Sequence, residues 1–279
     1  NFKNVKFNMK EENVSKYSNW IQYEFDLEND DISILGISKR DKANREINII
    51  ESLDKSKSEI LSIIPANFIF FKRMSFNKDI IDENYNNFIN NENIKEKRLD
   101  SIFNNVKEIG EVNINGKSIL IFSYNDLNIN ESIKNYDQLS KYREQIIYSG
   151  KNINLSDFDI LDFNISNNYD FITNISNFLI LSNDLDILQN LILNYNNRST
   201  ILRDENFIKF FEYVPKKTTF FEIINYSQSE DYENFPFWFS NYELKDLNSF
   251  KSIYTTPSYD LKKNKSLNLK FSKKLQNKI

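Results

Sequence analysis

Two clusters of carboxylates are the residues whose types and spacing are best suited to chemistry: Asp157, Asp159 and Asp162, and Glu230, Asp231 and Glu233. Glycoside hydrolysis uses two such carboxylates on either side of a sugar, about 5 to 10 Å apart. Because the chain has 40 acidic residues, clusters of this kind also arise in loops that are simply solvated. We interpret both clusters as solvated loops and keep a carboxylate-dependent hydrolase acting on carbohydrate as the alternative.

The first cluster also alternates in a way that resembles a set of calcium ligands. An EF-hand loop requires a glycine at its centre and a glutamate at its end. The stretch from Asp157 to Asp162 contains neither residue. We interpret the alternation as an edge strand and predict no metal site.

The sequence contains no histidine and no cysteine. Zinc fingers, haem ligation by histidine, cysteine nucleophiles, disulfides and the Ser-His-Asp triad all require one of these residues. The chain has four glycines, too few for a glycine-rich phosphate loop. We predict no cofactor and no catalytic residue, and we expect a binding protein more than an enzyme.

The charge of the chain argues against a nucleic-acid partner. Its formal net charge is -4, whereas phosphate binding requires a basic surface. The lysines between positions 262 and 278 form the longest basic stretch, which we interpret as a solvated terminal segment. No apolar run reaches the roughly 18 residues of a membrane-spanning helix, so no such segment is predicted. A leader or lipid anchor upstream of Asn1 stays open.

The positions of apolar residues predict the elements that would hold these groups. Residues 19–37 alternate like a hairpin, and residues 42–64 have a helical period that Pro65 ends. Asn115-Gly116 between two alternating runs predicts a tight type I′ turn. Further predictions are a helix capped by Asn77, helical sequence over 126–143, a hairpin over 169–182, a helix capped by Asn183, a short helix around 207–211, and strands over 67–76, 145–149, 160–165, 218–226, 237–244, 250–255 and 267–271.

Two stretches of the chain are similar to each other. Residues 64–72 (IPANFIFFK) align with residues 214–222 (VPKKTTFFE), and in both cases a hairpin and helical sequence come first. This order predicts duplicated β-β-α-β units. The expected fold class is α+β, with antiparallel sheets and helices packed on one face. The units would span 1–150 and 151–279, packed as one continuous globular region.

A further pattern consists of Leu188, the aromatic strand after Pro65 and six segments: residues 18–25 (SNWIQYEF), 34–36 (ILG), 63–65 (IIP), 177–182 (NFLILS), 203–207 (RDENF) and 214–215 (VP). This pattern resembles a group of uncharacterised extracytoplasmic, lipoprotein-like proteins of Bacteroidota. It implies a duplicated α+β region of unknown function and a periplasmic or outer-membrane-associated location. It supplies no catalytic residue.

The candidate binding surface is the aromatic run Phe237, Trp238 and Phe239, which follows Pro236. Proline is found mainly on edge strands, where such rings could hold a sugar, a lipid chain or a partner strand, although they could equally be core. The leading hypothesis is therefore a non-enzymatic extracytoplasmic binding or structural module that interacts with a protein or a cell-envelope component. A surface protein of an AT-rich parasite is a third possibility, which would require glycans on the Asn-X-Ser/Thr sites.

Overall fold

A computed structural model describes residues 21–28, 31–39, 46–50, 52–90, 101–125, 133, 136–151, 153, 155, 158–160, 163–165, 168–212, 216–225, 250–262 and 266–277. The strands are β1 (Ile21–Glu28), β2 (Asp31–Lys39), β3 (Phe70–Ser75), β4 (Val106–Ile114), β5 (Lys117–Tyr124), β6 (Gln138–Tyr142), β7 (Gln145–Ser149), β8 (Phe158–Ile160), β9 (Phe163–Ile165), β10 (Phe171–Ile175), β11 (Phe178–Ser182), β12 (Phe220–Asn225), β13 (Phe250–Lys262) and β14 (Ser266–Asn277). The helices are α1 (Lys78–Asn90), α2 (Leu185–Asn196) and α3 (Glu205–Phe211), with four 3-10 helices at Glu46–Ile50, Ile60–Ser62, Ser101–Phe103 and Ile201–Arg203.

Twelve of these strands form one sheet in the order β1-β2-β14-β13-β12-β3-β4-β5-β11-β10-β7-β6, and β8 pairs with β9 separately. Every neighbouring pair is antiparallel, as the register of each pair shows. Eight consecutive strands, from β12 to β6, carry the packing described below. The predicted antiparallel α+β architecture is confirmed at this level.

The turn between β4 and β5 has the predicted geometry. Asn115 and Gly116 both have positive φ, 52° and 80°, as a two-residue type I′ turn requires. Asn113 adds a side-chain contact, because its Oδ1 accepts a hydrogen bond from the Gly116 amide at 3.0 Å. Residues Ile114 and Lys117 pair directly across the turn, so it fixes the register of both strands.

The strands β3, β4, β5 and β11 are buried on both faces over most of their length. Along β5, Leu120 and Phe122 pack with Ile81 of α1, so this side is named the α1 face. The alternate residues Ile119 and Ile121 pack on the opposite side with α2, which defines the α2 face. A strand covered on both sides must be continuously apolar, which explains the unbroken aliphatic run in β5.

The prediction of helices on a single face is therefore wrong. Ile81 of α1 belongs to the hydrophobic cluster on the α1 face, whereas Leu188 of α2 and Phe207 of α3 belong to the cluster on the α2 face. The physical reason is the amount of apolar surface on the strands. With both faces of β5 and β11 apolar beyond Ser118, one helical layer would leave half of this surface in water.

The predicted helix over 42–64 is also wrong. This stretch contains two short 3-10 helices, Glu46–Ile50 and Ile60–Ser62. Between them Ser56 forms a β-bridge with Thr218, with backbone hydrogen bonds of 3.1 and 3.2 Å. Serine is a weak helix former, so this long-range pairing outweighs the helical period.

Other boundaries were predicted with mixed success. Asn77 caps α1 as expected, since its Oδ1 accepts a hydrogen bond from the Ile80 amide at 3.2 Å. The predicted hairpins over 19–37 and 169–182 are present as β1-β2 and β10-β11. The predicted helical stretch 126–143 ends instead in the strand β6. The predicted strand over 237–244 lies outside the described residues.

Strands β3 and β12 are neighbours at the centre of the sheet. Their register places Lys72 opposite Glu222, with Phe71 opposite Ile223 and Arg73 opposite Phe221. The segments that are similar in sequence therefore pair with each other. Residues from 1–150 and 151–279 also pair at β2-β14 and at β5-β11, so the two ranges share one sheet.

Candidate functional site

A cleft of about 520 Å³ opens at the end of the sheet where β5 begins and β11 ends. Its polar lining consists of Glu111, Lys117, Ser118, Tyr169, Asn183 and Asp184. Its volume lies within the roughly 300 to 1,000 Å³ typical of sites for small ligands. We take this cleft as the candidate site.

The pairing of β5 with β11 assembles the cleft. Ile119 lies opposite Ser182, so the residues before Ile119 come close to the residues after Ser182. The first group is Lys117 and Ser118, which follow the tight turn, and the second is Asn183 and Asp184, which lead into α2. Residues that are far apart in the chain therefore share one rim.

Asp184 has two structural partners. Its Oδ1 accepts a hydrogen bond from the Ile187 amide at 3.0 Å and so caps the N-terminus of α2. Its Oδ2 accepts a hydrogen bond from the Lys117 ammonium, forming an ion pair across the cleft. The hydrogen bonds from Lys117 and from the Ile187 amide lower the pKa of Asp184. In turn, the hydrogen bond to Asp184 and its negative charge raise the pKa of Lys117. The carboxylate and the ammonium are both charged at neutral pH.

The predicted cap of α2 is wrong by one residue. Asn183 lies just before the cap, and its Oδ1 accepts a hydrogen bond from the Asp170 amide at 3.0 Å. This bond joins the start of β10 to the end of β11 and holds Asn183 in the wall of the cleft. Both residues are good caps, so the sequence alone did not distinguish them.

Glu111 and Lys72 form the second ion pair at the cleft. They lie opposite each other on β4 and β3, with 2.9 Å between Lys72 Nζ and Glu111 Oε2. Their side chains are only 14% and 10% exposed, respectively. The Lys72 ammonium also lies 5.2 Å from the centre of the Phe163 ring, within the range of a cation–π contact. The lysine therefore sits behind Glu111 and balances its charge.

A third ion pair, on the α2 face, stabilises the fold without lining the cleft. Arg73 and Glu108 are fully buried, and Arg73 Nη1 also donates to the Thr218 carbonyl at 2.7 Å. Glu108 accepts further hydrogen bonds from the Ser58 hydroxyl and from the Glu59 amide. All three guanidinium nitrogens have partners, which is the arrangement expected of a structural pair.

The residues that sequence reasoning favoured are not those of the cleft. The aromatic run Phe237, Trp238 and Phe239 lies outside the described residues, and so do Asp157, Asp162, Glu230, Asp231 and Glu233. Asp159 falls in β8. Within the described part of the chain, no group of three or more carboxylates is placed to hold a metal ion. No helix in that same part is long and apolar enough to cross a membrane.

Glu111, Lys117 and Asp184 were missed because nothing in their local sequence marks them. The available signals were indirect: the Asn115-Gly116 turn places Lys117 at the start of a strand, and the predicted cap at Asn183 places an acid at the start of a helix. Only the pairing of β5 with β11 brings them together.

Comparison of the chain with protein-family models, with curated proteins and with solved structures gives no match. The resemblance to extracytoplasmic proteins of Bacteroidota therefore stays an expectation from the sequence.

Proposed function

We propose that this protein is a non-enzymatic binding module of the cell envelope that recognises a protein or an envelope component. The observation that supports this proposal is the state of the acids in the cleft. Glu111 and Asp184 are each held by a lysine, Lys72 and Lys117 respectively. A site built from neutralised pairs is suited to holding a ligand by hydrogen bonds.

Acid catalysis needs a different arrangement. A general acid must keep its proton near neutral pH, which requires a raised pKa. The pKa of Asp184 is lowered instead, because Lys117 and the Ile187 amide stabilise its charged form. Asp184 would therefore be a poor proton donor.

The strand order supports an origin by duplication. Outward from the β3-β12 boundary, the first five strands on one side are β3-β4-β5-β11-β10, followed by β7 and β6, and the five on the other side are β12-β13-β14-β2-β1. The two series of five strands have the same order if each strand from β1 to β5 is matched with the strand numbered nine higher, so that β1 corresponds to β10 and β5 to β14. Phe71 and Phe221, which align in the sequence, both lie on the α2 face with ring centres 5.7 Å apart. The connections differ, since α2 and α3 precede β12 whereas 3-10 helices precede β3.

The location and the partner surface rest on sequence patterns. The extracytoplasmic assignment follows from the resemblance to lipoprotein-like proteins, which also implies a lipid anchor upstream of the chain. Phe237, Trp238 and Phe239 are proposed as the surface that contacts the macromolecular partner.

Sedimentation with isolated cell envelopes tests the module. We expect the purified chain to sediment when it is mixed with envelopes and to stay in the supernatant when it is mixed with cytosolic extract. Trp238→Ala should lose this association and keep its far-UV circular dichroism spectrum, and Lys141→Ala, an exposed control on β6, should bind like the wild type. Association that survives Trp238→Ala would argue against the aromatic surface.

The alternative function, a carboxylate-dependent hydrolase of carbohydrate, has one observation in its favour. Glu111 and Asp184 line the same cleft. The test is turnover of a panel of chromogenic glycosides by the wild type, Glu111→Gln and Asp184→Asn. If the wild type turns over a glycoside and both variants do not, the protein is a hydrolase and the non-enzymatic function is wrong. If the wild type shows no turnover, the hydrolase alternative is removed.

A further inference from the structure

The charges around the cleft restrict the ligands it can hold. Lys117 and Asp184 form one pair in the lining, and Glu111 is paired with Lys72, which lies behind it, so each charged group of the lining has a partner of opposite charge. A charged ligand would have to compete with an existing pair for its counter-charge, and would give up its own hydration to do so. The cleft therefore favours a ligand without net charge.

The same groups are rich in hydrogen-bonding capacity. An ionised carboxylate has about four acceptor positions, and Asp184 uses two of them for Lys117 and the Ile187 amide, so acceptor positions remain for a ligand. Ser118 contributes a hydroxyl and Asn183 a side-chain amide to the same lining. A hydroxyl group suits such a lining because it can donate to a carboxylate and accept from an amide or an ammonium.

The lining is also held in place before any ligand arrives. Asp184 is fixed by the cap of α2, Asn183 by the Asp170 amide, and Ser118 by the strand that follows the tight turn. Ile119 and Leu120 add apolar surface to the lining. Polar groups that are already oriented lose little entropy on binding.

We propose that the cleft between the start of β5 and the start of α2 binds a neutral carbohydrate, with the ligand's hydroxyl groups bonded to Glu111, Ser118, Asn183 and Asp184. This assignment rests on the proposed function as a binding module and names the ligand class of one of its sites. Its volume of about 520 Å³ is large enough for a short oligosaccharide.

The test is titration calorimetry of the full chain with three neutral trisaccharides: maltotriose, cellotriose and N,N′,N″-triacetylchitotriose. 3′-Sialyllactose, which is anionic, and triglycine, which is zwitterionic, are the comparison ligands. Ser118→Tyr fills the cleft at an exposed strand position without removing a charge, and Gln138→Tyr is the matched control on the edge strand β6. We expect at least one neutral trisaccharide to bind, with Ser118→Tyr weakening it on the order of ten-fold or more and Gln138→Tyr leaving it unchanged.

Other outcomes overturn the assignment in distinguishable ways. Absence of binding by all three neutral trisaccharides, or equal binding by Ser118→Tyr, would remove the carbohydrate site and leave the envelope-binding module untouched. Preferential binding of triglycine or 3′-sialyllactose would mean that the cleft takes a peptide or an anionic sugar, respectively, and not a neutral carbohydrate. Cleavage of a bound trisaccharide would contradict the non-enzymatic function itself.

Discussion

Arg73 and Glu108 form an ion pair that the protein encloses completely, with 2.7 Å between Arg73 Nε and Glu108 Oε1. The pair lies between β3 and β4 and extends to Thr218, next to β12, through the guanidinium group. Glu108 also binds the Glu59 amide, so the pair attaches the segment after Ser56 to the sheet. One buried pair thus joins three parts of the chain that are distant in sequence.

Removing the arginine should strongly destabilise the protein. Arg73→Met leaves the Glu108 carboxylate buried without its counter-charge, and we expect a loss of about 3 to 5 kcal/mol in the free energy of unfolding. Urea denaturation measures this loss. Arg73→Lys keeps a positive charge but cannot make all three contacts, so its free energy of unfolding should lie between those of the wild type and Arg73→Met. This variant provides the measurement if Arg73→Met does not fold. Lys141→Met, at an exposed ion pair with Glu144, should show no measurable change. A loss in Arg73→Met as small as in this control would contradict the interpretation.

The cap of α2 gives a second prediction. Asp184→Ala should lower the free energy of unfolding by about 1 kcal/mol, because it removes the acceptor for the Ile187 amide. Asp184→Asn should lose less, since asparagine also caps helices. The folded-state pKa of Asp184 is lowered, so its stabilising effect is present above the unfolded value of about 3.9 and disappears as pH falls through the folded value.

Urea denaturation at neutral and acidic pH measures this effect. The difference between wild type and Asp184→Asn should shrink at pH values below about 4. Asp54→Asn, at an exposed position, is the control. A difference that stays constant with pH would show that the Lys117 pair does not contribute to folding.

Tyr124 gives a third prediction, at alkaline pH. Burial raises the pKa of its hydroxyl, which donates a hydrogen bond to the Ile102 carbonyl at 2.7 Å. Tyr124→Phe should cost about 1 kcal/mol at neutral pH. A raised folded-state pKa stabilises the protein below the unfolded value of about 10, and this stabilisation is lost as pH rises further. The wild-type advantage over Tyr124→Phe should therefore decrease above pH 10.

Unfolding in urea between pH 7 and pH 11 follows this change. Tyr142→Phe, at a half-buried position on β6, provides the comparison. Parallel stability curves for the wild type and Tyr124→Phe would mean that Tyr124 ionises as easily in the folded protein as in the unfolded chain.

The features that could be predicted from the sequence are those with a local cause. The Asn115-Gly116 turn depends only on which residues tolerate positive φ, and Asn77 caps α1 through an amide three positions away. The antiparallel α+β class followed from alternating runs joined by short turns.

The errors have a common physical reason. Residues 42–64 have a helical period, but Ser56 pairs with Thr218, which is distant in the sequence. The number of helical layers depends on both faces of the strands, which periodicity in one element does not reveal. Long-range contacts decide where local preferences are weak.

The candidate site shows the same division. The composition alone determined that chemistry based on histidine or cysteine is absent from this chain, because no such side chain exists in it. That Lys117 meets Asp184, and that Lys72 stands behind Glu111, was decided by the register of β5 on β11 and of β3 on β4. Register depends on the packing of whole strands, so it emerges only when the sheet assembles.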